Sequence, residues 1–381
     1  MAEEPSERCD PECVARRTRA RRSFVAASVV LVVAAAVLGC APWSSSDGGS
    51  SVPRLVKDLE SNDSLRQQRA LYELRALGPE AKAALPAVTG FLRRQDNCHR
   101  TLAALAIASI DPGSEAPIPA LLDELERQSD YWMPCVEALA AIGPRSVPAL
   151  TRALAHVSGG VREGAAEALG IIGSEAASAV PALTEALDDK NGGGRASAAK
   201  ALGRMGPKAR AAVPSLARAL ADETPSVRFH AAISLAAIDP GDRRSVPVLA
   251  EALRGDHNGW RVMAAEALAN MGPSASKAVP ALVGALSDPY TNAHVAAIRA
   301  LARIGPDAHP AVEHLTVDLR AHDESIRLAA AEALGAFGAG ATPAVRELTA
   351  ALRDKDPRVR QAAAGALQKI RADVPGSDRR R

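Results

Sequence analysis

A leucine returns every 33 residues along most of this chain, at Leu187, Leu220, Leu253, Leu286, Leu319 and Leu352. The same register runs back through Leu154, Leu125, Leu92 and Leu59, with one shorter step of 29 residues into Leu154. Several of these leucines close a Val-Pro-x-Leu-x-x-x-Leu segment, as at Val180-Pro181, Val213-Pro214, Val246-Pro247 and Val279-Pro280. A unit this small cannot bury its own apolar face, so successive units must stack and share one continuous core. That excludes a conventional globular enzyme domain over the repeated region. The short step reads as a four-residue deletion in one loop, between Gly143-Pro144 and Val147-Pro148.

Within a unit the pattern is that of two helices. In one unit Val161, Ala165, Ala168, Leu169 and Ile172 recur at three- and four-residue steps on a single helix face. The helix stops at Gly-Pro pairs such as Gly206-Pro207, Gly272-Pro273 and Gly305-Pro306, which fit a left-handed C-cap glycine followed by a residue that cannot extend the helix. The second helix starts at Pro181, Pro214, Pro247 or Pro280, where a missing N–H costs nothing. Composition matters here: 47% of the chain is hydrophobic but only 3% aromatic. Alanine fills the difference, in mid-helix pairs such as Ala198-Ala199, Ala264-Ala265 and Ala330-Ala331 that let helices approach closely.

The recurring Val-Arg-x-x-Ala-Ala-x-Ala-Leu-x-x-Ile-Gly-Pro pattern resembles the HEAT repeat, in the short variety named after phycobilisome lyases, over residues 52–371. The resemblance implies an all-α fold, a right-handed α-α superhelix. One column holds Arg100, Arg162, Arg195, Arg228, Arg261, Arg327 and Arg360, with Gln67, Trp132 and His294 in the remaining units. By the resemblance these arginines form a structural ladder paired to acidic loop residues. Asp189, Asp222, Asp288, Asp323 and Asp356 stand just before the matching helices.

The N-terminal region reads as an address. Residues 1–22 are a basic leader, with Arg16, Arg17, Arg19, Arg21 and Arg22, and residues 23–42 are an apolar run long enough to begin spanning a bilayer. No basic residue follows until Arg54, so the positive-inside rule places the rest of the chain outside a bacterial cytoplasm. Val37-Leu38-Gly39-Cys40 resembles a lipobox, which makes Cys40 the lipidation candidate, and Arg21-Arg22-Ser23-Phe24-Val25 resembles a twin-arginine export pattern. Lipid on Cys40 and an uncleaved transmembrane anchor give the same orientation, facing the periplasm or exterior. Residues 43–51 form a flexible linker, and residues 372–381 a disordered basic tail. Cys98 and Cys135, on adjacent repeats, either pair or stay free.

A net charge of +2 gives no general attraction to nucleic acid. HEAT-type deoxyhypusine hydroxylases hold iron through His-Glu dipeptides, and this chain contains none. Asn191-Gly192-Gly193-Gly194 lacks the Lys-Ser/Thr ending of a phosphate loop and reads as an inter-repeat turn. No catalytic residue, metal ligand or cofactor is expected. In the family the second helices line the concave face, and their exposed column here includes Arg152, Glu185, Arg218 and Glu251, alternating in sign. These four residues, with Trp132 beside the shortened loop, are the candidates for binding other proteins. Trp260 aligns with Val161 and is expected in the core. The expected function is a membrane-tethered scaffold or adaptor; the competing expectation is a HEAT-repeat enzyme of the phycobilin-lyase or deoxyhypusine-hydroxylase kind.

Overall fold

The structure, a computed structural model, describes residues 52–94, 99–127 and 132–373. The leader, the apolar run with Cys40, the linker, Cys98, Tyr131 and residues 374–381 lie outside the described residues. Within them the chain forms α1 (Val52–Leu59), α2 (Ser64–Leu77), α3 (Leu85–Leu92), α4 (Arg100–Ile110), α5 (Ile118–Arg127), α6 (Trp132–Ala141), α7 (Val147–Ala153), α8 (Gly159–Ile172), α9 (Val180–Glu185) and α10 (Gly192–Met205). It continues with α11 (Val213–Ala219), α12 (Pro225–Ile238), α13 (Val246–Ala252), α14 (Asn258–Met271), α15 (Val279–Gly284), α16 (Thr291–Ile304), α17 (Val312–Asp318), α18 (Glu324–Ala336), α19 (Val345–Ala351) and α20 (Pro357–Asp373). Longer and shorter helices alternate, and each long helix stacks on the long helix of the next unit, which is an all-α solenoid of the HEAT type.

The punctuation between helices differs in detail from a left-handed cap. Gly173 has φ 67° and ψ −133°, and Gly206 has φ 61° and ψ −140°. Such a conformation is essentially closed to any residue with a Cβ. From there the Gly-Pro-x-Ala stretch winds into a seven-residue 3-10 segment that hands over to Val-Pro of the short helix, as at Gly206–Ala212 before α11. The 29-residue step is explained partly here. The segment Gly143–Ser146 is four residues long where Gly173–Ala179 is seven, so three residues are missing there. The fourth is missing between Leu125 and Trp132, not in the same loop.

The triple glycine is not an inter-repeat turn. Asn191 caps α10 by accepting the Gly193 N–H, and Gly192–Gly194 form the first helical turn. A Cβ at Gly193 would come 2.8 Å from the Glu163 carboxylate and one at Gly194 3.0 Å from that of Asp189. The Glu163 carboxylate ends a flexible side chain that can move aside, whereas that of Asp189 is held by Arg162, so the close approach is at Gly194.

Alanine pairs set the spacing of the stack. Ala198, Ala199, Ala264, Ala265, Ala330 and Ala331 are fully buried, and a Cβ on Gly170 or Gly335 would meet the Cα of Ala201 or Ala366 at 3.0 Å. Inward leucines such as Leu183, Leu216, Leu249, Leu282 and Leu315 fill the space between layers. Each contributes about 2 kcal/mol by burial. The core falls into two clusters that meet at α12. Val227, Ala231, Leu235 and Ile238 belong to the N-terminal cluster, while Phe229, Ala232 and Ala236 belong to the C-terminal one.

Candidate interaction surface

Four arginines of the column, Arg162, Arg195, Arg261 and Arg327, are paired across units. Arg195 directs Nη1 back to the carbonyl of Asp189, six residues earlier, at 2.9 Å. Its Nε and Nη2 reach forward to both carboxylate oxygens of Asp222, in the following unit, at 2.8 and 2.9 Å. Arg162 does the same with His156, Val157 and Asp189, Arg261 with Gly255 and Asp288, and Arg327 with Ala321, His322 and Asp354. Each aspartate also accepts the backbone N–H two residues on, from Asn191, Thr224, Tyr290 or Asp356. One guanidinium thus clasps two consecutive inter-repeat loops. Donation from the partner arginine holds the carboxyls of Asp189, Asp222 and Asp354 below the usual carboxylate range. For Asp288 burial pushes upward, and the Arg261 and Tyr290 hydrogen bonds outweigh it.

Asp323 and Asp356 do not join the ladder as the sequence spacing suggested. Asp323 caps α18 by accepting the Ser325 N–H, and Asp356 pairs with Arg358, which holds its carboxyl down to about 2. Loop aspartates clasp an arginine 27 residues earlier only when they lie two residues past the closing leucine, and Asp354 holds that place.

The other column residues show what happens without that aspartate. Where it is replaced by His156, the column residue is Trp132, half-buried, donating its indole N–H to the Gly160 carbonyl at 3.3 Å. Where it is Ala321, the column residue is His294, which meets Asp318 at 3.0 Å. Gln67 reproduces the backward contact by donating to the Ser61 carbonyl at 2.6 Å. Arg100 reaches Asp123 instead, at 3.1 Å, and its buried Nε has no partner among the described residues. Arg360, in the last helix, keeps its backward bonds to Asp354 and Lys355. Arg228 donates Nη1 to the carbonyls of Asp222 and Glu223 at 2.8 and 3.0 Å, but Gly255 occupies its forward aspartate position.

Along the short helices the position two residues before each closing leucine is exposed in every unit, from Lys57 to Ala350, with glycine at Gly90 and Gly284. Arg152, Glu185, Arg218 and Glu251 all lie on this exposed line. Among the described residues no ion pair joins these four to one another. Arg218 turns to Asp188 at 3.9 Å and Ser215 at 3.2 Å, while Glu251 lines a pocket at the junction of the two core clusters.

That pocket, of about 310 Å³, is formed by α12, α13 and α14. Phe229 and Trp260 stack along one wall, ring centroids 4.3 Å apart and planes within 6°. Trp260 is half-buried: it packs against the core, as its alignment with Val161 suggested, and is also open to the pocket. Helical periodicity identified its column, and Phe229, one of the few large aromatics legible in the sequence, stands where Ala196 does one repeat earlier. His230, packed behind the stack, is pushed down to about 4 by burial and by the nearby charges of Lys200 and Arg204.

Cys135 is a buried free thiol, pushed up to about 12 by burial and by the Glu124 carboxylate. Among the described residues no three His, Cys, Asp or Glu side chains gather around one potential metal position. No helix of those residues is long and apolar enough to cross a membrane.

Comparison with known proteins agrees with this architecture. HEAT repeats are matched at residues 134–202, 180–269 and 312–378, more than half of the chain, and a PBS lyase HEAT-like repeat at 260–288. The chain belongs to the HEAT-repeat family. It is similar to an engineered protein of known structure, at 25% identity and a TM-score of 0.54, over 85% of this chain and 99% of that one. Importin beta is matched in fold, at 17% identity and a TM-score of 0.54, covering 85% of this chain and 51% of that one. The phycocyanin lyase complex of CpcE and CpcF from Nostoc matches at 25% identity with a TM-score of 0.37, over 60% of this chain and 94% of that one. No curated protein matches the chain.

Proposed function

We propose that this protein is a scaffold that holds other proteins along its solenoid surface, tethered to a bacterial membrane through residues 23–42 or lipid on Cys40, with the repeats facing the periplasm or exterior. The observation that carries the reading is the exposed line of short-helix positions, one per unit over the described solenoid, which bears a side chain everywhere but Gly90 and Gly284. Such a surface spreads binding over many modest contacts. The buried polar groups of the clasps are consumed in holding loops together, which leaves the exposed line for partners.

The tagged protein, captured from native membranes in mild detergent, is expected to bring down a protein partner at near-equal stoichiometry. Reversing charge at Arg218 or Glu251 is expected to weaken that capture. A preparation without any partner but carrying iron or visible absorbance would overturn the reading in favour of the lyase or hydroxylase alternative. Mass spectrometry of the mature N-terminus tests the tether: an acylated Cys40 and an intact leader are the two outcomes compatible with it.

A further inference from the structure

Arg228 is the arginine of the column that breaks the pairing rule inside the array. Where the forward aspartate is missing elsewhere in the interior, the chain carries Trp132 or His294 in the column, or Arg100 finds Asp123. At Arg228 the arginine stays while the position 27 residues on is Gly255. Among the described residues its Nε and Nη2 receive no hydrogen bond acceptor, and no carboxylate comes within salt-bridge distance. The loop itself follows the same path as its counterparts, because the Gly255 carbonyl accepts Arg261 Nη1 at 3.0 Å as the Asp189 carbonyl accepts Arg195. A half-buried guanidinium with a free bidentate edge is a carboxylate receptor.

The setting is built for more than a carboxylate alone. Arg228 and Gly255 line the same pocket as the stacked Phe229 and Trp260 and the apolar Val248. We propose that this pocket receives an aspartate or glutamate side chain of a partner protein, with an adjacent apolar side chain against Trp260, which the buried Phe229 backs. The partner carboxylate takes the place that Asp189, Asp222, Asp288 and Asp354 hold in the other units. Glu251 and Asp256, on the pocket's lining, repel a run of acidic residues, so the matching segment carries a single carboxylate among apolar or basic neighbours. This inference rests on the scaffold reading and assigns it one docking point.

The test is a selection of random peptides displayed on phage against the full-length protein, with counter-selection on Gly255→Asp. That substitution supplies the missing internal carboxylate, and it fits, since a Cβ at Gly255 meets only the Ala252 carbonyl at 3.5 Å. Peptides enriched on the unmodified protein are expected to carry one Asp or Glu beside an apolar residue. Their synthetic versions are expected to lose at least about tenfold in affinity on Asp→Asn or Glu→Gln exchange, a size typical of a charge-assisted pair. Comparable losses are expected with Gly255→Asp and with Arg228→Gln, whose native circular dichroism is checked first. If no peptide distinguishes the two proteins, or if those that do tolerate loss of the carboxylate, the pocket assignment is overturned. Peptides that bind both proteins equally overturn the assignment while leaving the scaffold reading standing.

Discussion

Replacing Asp222 with alanine isolates one clasp. Asp222 and Arg195 are 13% and 11% exposed, so the pair is only weakly screened by water. Removing one partner of a buried pair costs about 3–5 kcal/mol. Arg195 would retain the Asp189 carbonyl at 2.9 Å and the Thr224 hydroxyl at 3.2 Å, which favours the lower end of that range. Asp222 also accepts the Thr224 N–H at 2.8 Å, adding about 1 kcal/mol to the loss. The expected total is about 4 kcal/mol for Asp222→Ala. Asp222→Asn keeps the turn acceptor and should lose about 1 kcal/mol less. Because each unit contacts only its neighbours, the damage should be local. Native-state hydrogen exchange should show faster opening of α10 to α13, with α2 and α18 unchanged. A loss below about 1 kcal/mol, or exchange that rises uniformly, would refute the argument and reduce the clasp to an ordinary surface ion pair.

Other outcomes follow from the same geometry. Lowering pH should destabilise the solenoid in two windows. His230, depressed to about 4, favours the folded state fully above its unfolded value near 6.5 and loses that contribution as pH falls from there toward 4. The clasp aspartates are depressed carboxylates, so their stabilisation holds above about 4 and is lost as pH falls below it. Urea midpoints measured against pH should show both, and His230→Phe should remove only the upper window. Gly203→Ala should destabilise by about 1–2 kcal/mol, since its Cβ would lie 2.9 Å from the Ser234 Cα, whereas Gly365→Ala, with open space around it, should stabilise by about 0.5–1 kcal/mol. Thermal melts of the two variants check the pair. Cys135 should resist alkylation in the folded protein and react on denaturation, which peptide mapping after pulse labelling would show.

The repeat itself was legible because its constraints are local. A period of 33, a glycine that no other residue replaces at Gly173 or Gly206, and prolines at the start of short helices act within a few residues of one another. The arginine column was equally visible, since it recurs in register. Its partners were not, because spacing along the chain favours an aspartate four or six residues away over one at 27. Only stacking of one unit on the next brings Arg195 to Asp222 and sends Asp323 and Asp356 to other tasks. The alternating charges of Arg152, Glu185, Arg218 and Glu251 share a line but not contacts, for a reason of the same kind: register sets the line, and side-chain reach sets the pairs.

The sequence by itself determined a stack of two-helix units, where each begins and stops, and which column faces its neighbour, because helix periodicity and backbone conformation are properties of short segments. The tertiary structure decided which loop each arginine clasps, that α12 divides the core, and that Arg228 faces a pocket beside Phe229 and Trp260 instead of an aspartate. Those features depend on distances between residues 27 to 33 positions apart, and such distances exist only once the units have packed.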